Sequence, residues 1–188
     1  YMSGMYNGLR QLTTQDVVVD SPDDLAGLRI RVPSGEVYMR TLTDMGGDPV
    51  AMNWSETFTA LQQGTLDGHE NGYQTIYSAN IQEVQNCITE WNWSFDGYWF
   101  MANQKDWDKM DPAVQELLME KAQEAAQWGR DKLVADEKQI KEDFIASGIT
   151  ITELTPEQHQ AFVDAARPAQ EYFMEKFGAE ACTAWGLE

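Results

Sequence analysis

Basic residues are scarce in this 188-residue chain: 13 lysines and arginines stand against 31 aspartates and glutamates, a formal net charge of −18. A surface so negative repels phosphate backbones and anionic lipid, which argues against nucleic acid or an acidic membrane face as partner. Long apolar runs are missing as well, so nothing in the sequence reads as spanning a bilayer. The opening residues, YMSGMYNGLRQLTT, contain no basic stretch followed by an apolar one. No signal peptide is visible there, and the chain reads as lacking its own beginning. Only two histidines occur, His69 and His159, and neither has partners at the spacing that catalytic zinc requires. GxSxG, GxGxxG and Walker sequences are absent, so nucleophilic hydrolysis, dinucleotide binding and nucleotide hydrolysis lack their signatures, and neither metal nor cofactor is expected. Cys87 and Cys182 are the only cysteines. They leave two readings open, a single bridge in an oxidising compartment or two buried thiols.

What is present suffices for a core, since 43% of the residues are hydrophobic. Tyr6 to Thr14 reads as a turn at Asn7-Gly8 leading into an extended segment. LRIRV (28 to 32) reads as a strand closed by Pro33, followed by a helix capped by Ser34 and running to about Met45, with Val37, Leu42 and Met45 as its apolar positions. PVAM (49 to 52) is a second strand, and Ser55 caps a helix to Gln63 with Phe58 and Leu61 facing the core. TLDG (65 to 68) is a third strand and turn. This βαβ rhythm predicts a mainly parallel sheet covered by helices, with a site at the carboxyl ends of the strands, near Pro33, Asn53, Trp54 and the HEN run. EVQNCITEW (83 to 91) and SFDGYWFMAN (94 to 103) read as extended, with aromatic side chains dense from Trp91 to Trp107. Asp111-Pro112 then opens a helix to about Ala146, interrupted only by Gly129, which either breaks there or crosses two lobes. ITITEL (149 to 154) is a further strand, and Thr155 with Gln158 forms a capping box for a closing helix to about Phe177.

The alternation of LRIRV sends Arg29 and Arg31 to the face opposite Leu28, Ile30 and Val32. Arg31, at a strand end beside a proline, offers a planar charged fork that fits a carboxylate; the competing reading is a structural ion pair with one of the many acids. Asn71, expected on the loop after the third strand, adds an amide donor. Trp54 offers a flat apolar wall or, equally, an aromatic staple on the core. Asp67 and Glu70 form a candidate carboxylate pair for acid–base work, or two solvated groups beside a turn. Arginine, amide and indole together describe a site for a small organic acid, with no nucleophile or redox group beside them. The alternative function is a soluble enzyme acting on an organic acid with Arg31 as substrate anchor. A third reading is an interaction fragment with exposed aromatic residues.

DLAGLRIRVPSG (24 to 35), MGGDPVAMNWSETFTALQQGTLDGHEN (45 to 71) and WFMANQKDWDKMDPAVQELLMEKAQEAA (99 to 126) resemble, in that order, the solute-binding proteins of tripartite ATP-independent periplasmic (TRAP) transporters of the C4-dicarboxylate receptor type. The resemblance implies an α/β, periplasmic-binding-protein-like (type II-like) two-lobe fold with a long crossing helix. This chain would supply mainly the second lobe and the C-terminal elements: residues 1–99 the lobe with the carboxylate site, residues 100–188 the connecting helix, a strand and the closing helix. It further implies a non-enzymatic periplasmic receptor that carries a small organic acid to TRAP membrane permease subunits. By resemblance the carboxylate-gripping arginine falls on Arg31, the assisting asparagine on Asn71, the pocket-lining aromatic on Trp54 and a further ligand-reaching arginine, from the YNGLRQ segment, on Arg10. Glu70 completes the candidate ligand-binding set. His69 and Gly72 depart from the glutamine and proline more frequent in the family. An extracytoplasmic location would allow a bridge between Cys87 and Cys182 to persist.

Overall fold

In the computed structural model, which describes residues 1–178 and Glu180, the chain enters on a long strand, β1 (Ser3–Thr14). The expected turn at Asn7-Gly8 is instead a bulge inside that strand: its pairing shifts register between Tyr6 and Leu9, and Gly8 sits at φ 98°, where a side chain would be strained. β2 (Arg29–Val32) follows and leads into α1 (Glu36–Asp44). The cap of α1 is Gly35 rather than Ser34, the Gly35 carbonyl accepting from the Met39 amide at 3.1 Å. Leu42 and Met45 are buried as expected, whereas Val37 faces solvent. β3 (Asp48–Ala51) matches the second expected strand.

α2 (Trp54–Gln62) begins before the expected Ser55 cap, because the Asn53 carbonyl already accepts from Glu56 at 3.1 Å. Trp54 therefore belongs to the first helical turn. β4 (Gly68–Asn71) lies three residues further on than the expected third strand, so His69, Glu70 and Asn71 are strand residues and not loop residues. α3 (Tyr73–Ser78), β5 (Cys87–Phe100) and the short α4 (Gln104–Trp107) come next. α5 (Pro112–Ala146) is capped by Asp111, whose side chain accepts from the Ala113 amide at 2.8 Å, and it runs unbroken through Gly129 for about 50 Å at 1.5 Å per residue. A Cβ at Gly129 would lie 2.6 Å from Met5 Sδ, so the glycine lets this helix lie close on the β1 side chains. β6 (Thr150–Glu153) and α6 (Pro156–Phe177) follow, the latter with its capping box intact: Gln158 N donates to Thr155 Oγ1 at 3.2 Å and Thr155 N to Gln158 Oε1 at 2.9 Å.

The six strands form one mixed sheet in the order β3-β2-β4-β1-β5-β6. β2 is parallel to β3 and β4, β6 is parallel to β5, and β1 is antiparallel to both its neighbours. Every strand except β1 thus runs the same way. The mainly parallel expectation holds, and β1 is the reversed strand at its centre. β6, from the second of the two expected segments, pairs with β5 from the first.

Two cores cover the two faces. Leu12, Ile30, Val32, Trp91 and Phe162 pack beneath α1 and α6; Leu61, Ile76, Ile88, Ile140 and Phe144 pack beneath α2, α3 and the end of α5. The seam between β4 and β1 is tight at Gly68, where a Cβ would lie 2.4 Å from the Thr13 carbonyl oxygen. Backbone cannot swing aside as a side-chain end can. Gly68→Ala should therefore destabilise by about 1–3 kcal/mol, or more if the strands separate. A urea midpoint unchanged from wild type at constant m would contradict this.

Candidate functional site

Register decides which side chains share a face. Arg31 stands opposite His69 across β2 and β4, and His69 stands opposite Thr13 across β4 and β1. This row points toward the core under α2 and α3. Glu70, one residue on, stands opposite Leu12 and points to the other face, toward α1. The HEN run therefore serves both faces at the carboxyl ends of β2, β3 and β4, the rim expected to form a site.

The two arginines of LRIRV are used differently. Arg29 lies at the exposed start of β2, where its Nε donates to Asp67 Oδ2 at 2.8 Å, its Nη2 to Asp67 Oδ1 at 2.9 Å and to the Gly64 carbonyl at 2.8 Å. Asp67 is held below the usual carboxylate range by these hydrogen bonds. Arg31 is 5% exposed, and its Nε donates to the Met52 carbonyl at 2.9 Å. Its guanidinium carbon lies 5.4 Å from the centre of the Trp54 ring. Among the described residues no carboxylate forms an ion pair with it. Burial pulls its pKa below the ordinary guanidinium value, against the opposing pull of Glu70. A buried cation with its terminal nitrogens uncommitted is costly to keep and ready to take an anion.

Asn71 is buried at the end of β4, and its Oδ1 accepts from the Gly72 amide at 2.9 Å. That bond fixes the amide and leaves Nδ2 as a donor. Trp54 is 37% exposed, its ring 5.7 Å from that of His69 and tilted by 35°. The ring stands beside Arg31 and over the buried His69, and it belongs to neither core cluster.

Arg10 and Glu70 have found each other. The Arg10 Nε donates to Glu70 Oε2, its Nη2 to Glu70 Oε1 and to the Glu70 carbonyl, both at 2.9 Å, and its Nη1 lies 3.2 Å from Asp96 Oδ2. Trp93 Nε1 also donates to Glu70 Oε2, at 3.0 Å, and the Arg10 guanidinium stacks over Tyr38 at 5.7 Å. Burial pushes the Glu70 carboxyl up while Arg10 and Trp93 hold it down. Asp67 and Glu70, taken from sequence as a possible acid–base pair, are occupied by different arginines on different parts of β4 and its approach. Sequence spacing could not see this, because a pleat separates neighbours in the chain.

His69 was left out of the binding set expected from the sequence. It is fully buried, its Nδ1 lies 2.6 Å from Thr13 Oγ1, and its Nε2 has no hydrogen-bond partner among the described residues. Burial first, then Arg31 and Arg10, lower its pKa from 6.5 to about 3. The unfolded chain takes up a proton near pH 6.5 that the folded protein refuses until about pH 3. The stability that neutral His69 contributes is therefore full above pH 6.5 and is lost as pH falls below it. Acidification from pH 7 to pH 5 should remove about 2 kcal/mol by this route, and His69→Gln should abolish that part of the slope. Parallel urea titrations of the two proteins at both pH values check it: equal losses would contradict the assignment to His69.

Cys87 is buried at the start of β5, and burial raises its thiol pKa. Cys182 lies outside the described residues. No described helix is long and apolar enough to cross a membrane, and among the described residues no cluster of three or more His, Cys, Asp or Glu side chains could hold a metal ion.

Comparison with known proteins matches residues 1–176 to bacterial extracellular solute-binding protein, family 7. Among curated relatives, the C4-dicarboxylate-binding periplasmic protein DctP of Vibrio cholerae is 30% identical over 175 residues, covering 93% of this chain and 52% of the relative. The chain thus spans about half the length of such relatives. Among solved structures, a TRAP periplasmic solute-binding protein from Polaromonas, bound to D-erythronate, superposes with a TM-score of 0.91 at 29% identity, over 97% of this chain and 60% of that one. Another from Shewanella oneidensis, with bound succinate, gives 0.88 at 27% identity, over 94% and 58%.

Proposed function

The chain belongs to bacterial extracellular solute-binding protein family 7, and from that premise we propose that it is an extracytoplasmic receptor for a small organic carboxylate, serving a TRAP transporter. The observation that carries this reading is the buried Arg31 guanidinium, hydrogen-bonded to one carbonyl and paired with no carboxylate among the described residues in a chain rich in them. Arg31 takes the ligand carboxylate in a planar, two-toothed grip. Asn71 Nδ2 donates to the same group, and the Trp54 indole walls the ligand's apolar face. Arg10 and Glu70 act on the far side of the sheet rim: their charges are spent on each other, so they shape the rim and its field more than they touch the ligand.

In this reading residues 1–99 hold the carboxylate site, and residues 100–188 supply the crossing helix and the closing elements. The permease subunits are the membrane partners that receive the solute. The relatives' ligands, D-erythronate and succinate, support the class of small organic acid without selecting one member.

A thermal-shift screen of mono- and dicarboxylates, uronates, amines and neutral sugars tests the reading. Only ligands that bind the folded protein raise its melting temperature by mass action. Acids should shift it; a response confined to amines or neutral sugars would sink the proposal.

A further inference from the structure

His69 sits beside Arg31 with half of its imidazole unused. The residues facing it bear on which half carries the proton. Gln85 Nε2 donates to the Val84 carbonyl at 2.9 Å, and a carbonyl can only accept, so the amide of Gln85 is oriented with Oε1 toward Thr13. That oxygen receives the Thr13 hydroxyl at 3.2 Å. That proton has two further acceptors in reach, the His69 carbonyl at 3.4 Å and Nδ1 at 2.6 Å; with the proton on Gln85, the 2.6 Å contact becomes Nδ1–H donating to Thr13 Oγ1. His69 is neutral, so Nε2 then bears a lone pair and no proton.

That lone pair is buried and unpartnered among the described residues. Leaving such an acceptor unsatisfied is unfavourable, and polar atoms in this state are commonly those that a ligand or an ordered water completes. Its neighbours are the groups assigned to the carboxylate: Arg31 stands directly opposite on β2, on the same face, and the Trp54 ring covers the imidazole at 5.7 Å. Resting on the carboxylate reading above, we infer that His69 is a specificity-determining residue, its Nε2 accepting a hydrogen bond from a hydroxyl group of the acid held at Arg31, directly or through one trapped water. The substrate class narrows accordingly to hydroxy acids. A keto oxygen, which cannot donate, gains nothing from this nitrogen. A protonated imidazole would attract any second carboxylate by charge; a neutral acceptor selects for a donor.

Matched pairs of probes separate these outcomes. Titration calorimetry on the full-length gene product at pH 7 would compare lactate with propionate and pyruvate, and malate with succinate. Each hydroxy acid should bind at least about tenfold more tightly than its unhydroxylated or keto partner. In His69→Phe, which keeps a flat ring and removes the acceptor, that ratio should fall to about one. Thr13→Val supplies a second variant with the imidazole retained. It frees the tautomer and should also erode the ratio. Nitrogen-15 spectra of histidine-labelled wild-type protein read the tautomer without any mutation, and should report protonated Nδ1 and bare Nε2. A ratio near one in wild type, a ratio unchanged in both variants, or a proton on Nε2 would each overturn the role of His69 while leaving the carboxylate receptor intact. Failure of every acid to bind would instead overturn the receptor reading and this inference with it.

Discussion

Arg31→Ala should bind organic acids more weakly by about 2–5 kcal/mol, roughly 30-fold to several thousand-fold, because it removes the charged partner of a buried carboxylate. The expectation rests on burial and on isolation. An arginine 5% exposed, with one hydrogen bond to a carbonyl and an indole beside it, has no ion-pair partner among the described residues. Folding should be little harmed, and the melting temperature of the free protein should hold or rise, since the substitution deletes an uncompensated buried charge. Arg31→Lys should recover only part of the loss, because an ammonium is a point charge and cannot grip two oxygens in one plane. Calorimetry on the acid that gives the largest thermal shift reads all three numbers. Unchanged affinity in Arg31→Ala would remove it as the anchor and leave the site without one. The opposite pairing of effects, stability lost and affinity kept, would make Arg31 a structural residue.

Much of this was legible in the sequence for a physical reason: local signals that depend on a few adjacent residues survived intact. Asp111-Pro112 and Thr155 with Gln158 set two helix starts correctly, because capping is a contact between residues two or three apart. The unbroken course of α5 was left open at Gly129, and the deciding contact, with Met5 more than a hundred residues away, is invisible to local reasoning. The third strand was set three residues early because turn signals at Asp67-Gly68 outweighed the chemistry of HEN. Histidine, glutamate and asparagine do not look like a buried strand. They form one because β1 and β2 flank it on both sides and because each of the three polar side chains has a use: Thr13 for His69, Arg10 for Glu70, the Gly72 amide for Asn71.

The site divides along the same line. Arg31, Trp54 and Asn71 could be picked out by type and position near strand ends. The partition of Arg10 with Glu70 onto one face and Arg31 with His69 onto the other depends on register, and register is a property of the assembled sheet. In the sequence His69 was weighed only as a zinc ligand and as a departure from the family's glutamine, because an isolated histidine without ligand-spaced partners points to no site by itself. The role inferred for it rests on three things that only the fold supplies, which are full burial, hydrogen bonds that run through Thr13 to Gln85, and Arg31 as its cross-strand neighbour.

Glu70→Leu should destabilise the protein by about 3–5 kcal/mol, the largest loss expected from any single substitution at the rim. Glu70 is fully buried, accepts from three donor groups, and is the main counter-charge to an arginine whose side chain is 5% exposed. Removing it leaves the Arg10 guanidinium with Asp96 as its remaining ion-pair partner among the described residues, a weaker one because it is 18% exposed. The Trp93 indole N–H loses its acceptor as well. The pair need not be a net source of stability, however, since bringing both charges out of water costs much of what their attraction returns. A double substitution, Arg10→Met with Glu70→Leu, should therefore recover most of the loss, and the coupling between the two positions should come out at several kcal/mol in a double-mutant cycle. Urea midpoints at constant m provide the four values. A Glu70→Leu cost below about 1 kcal/mol, or simple additivity in the cycle, would show that the ion pair is not what joins β1 to β4 at the rim. The functional consequence runs through the same bond. β1 carries Arg10 and Thr13, β4 carries Glu70, His69 and Asn71, and the pair holds the two strands in the register that sets His69 opposite Thr13. Where the double variant regains stability, its acid affinity should return with it, because Arg31 and Asn71 are untouched; a stable double variant that no longer binds would move Arg10 or Glu70 from the scaffold into direct contact with the ligand.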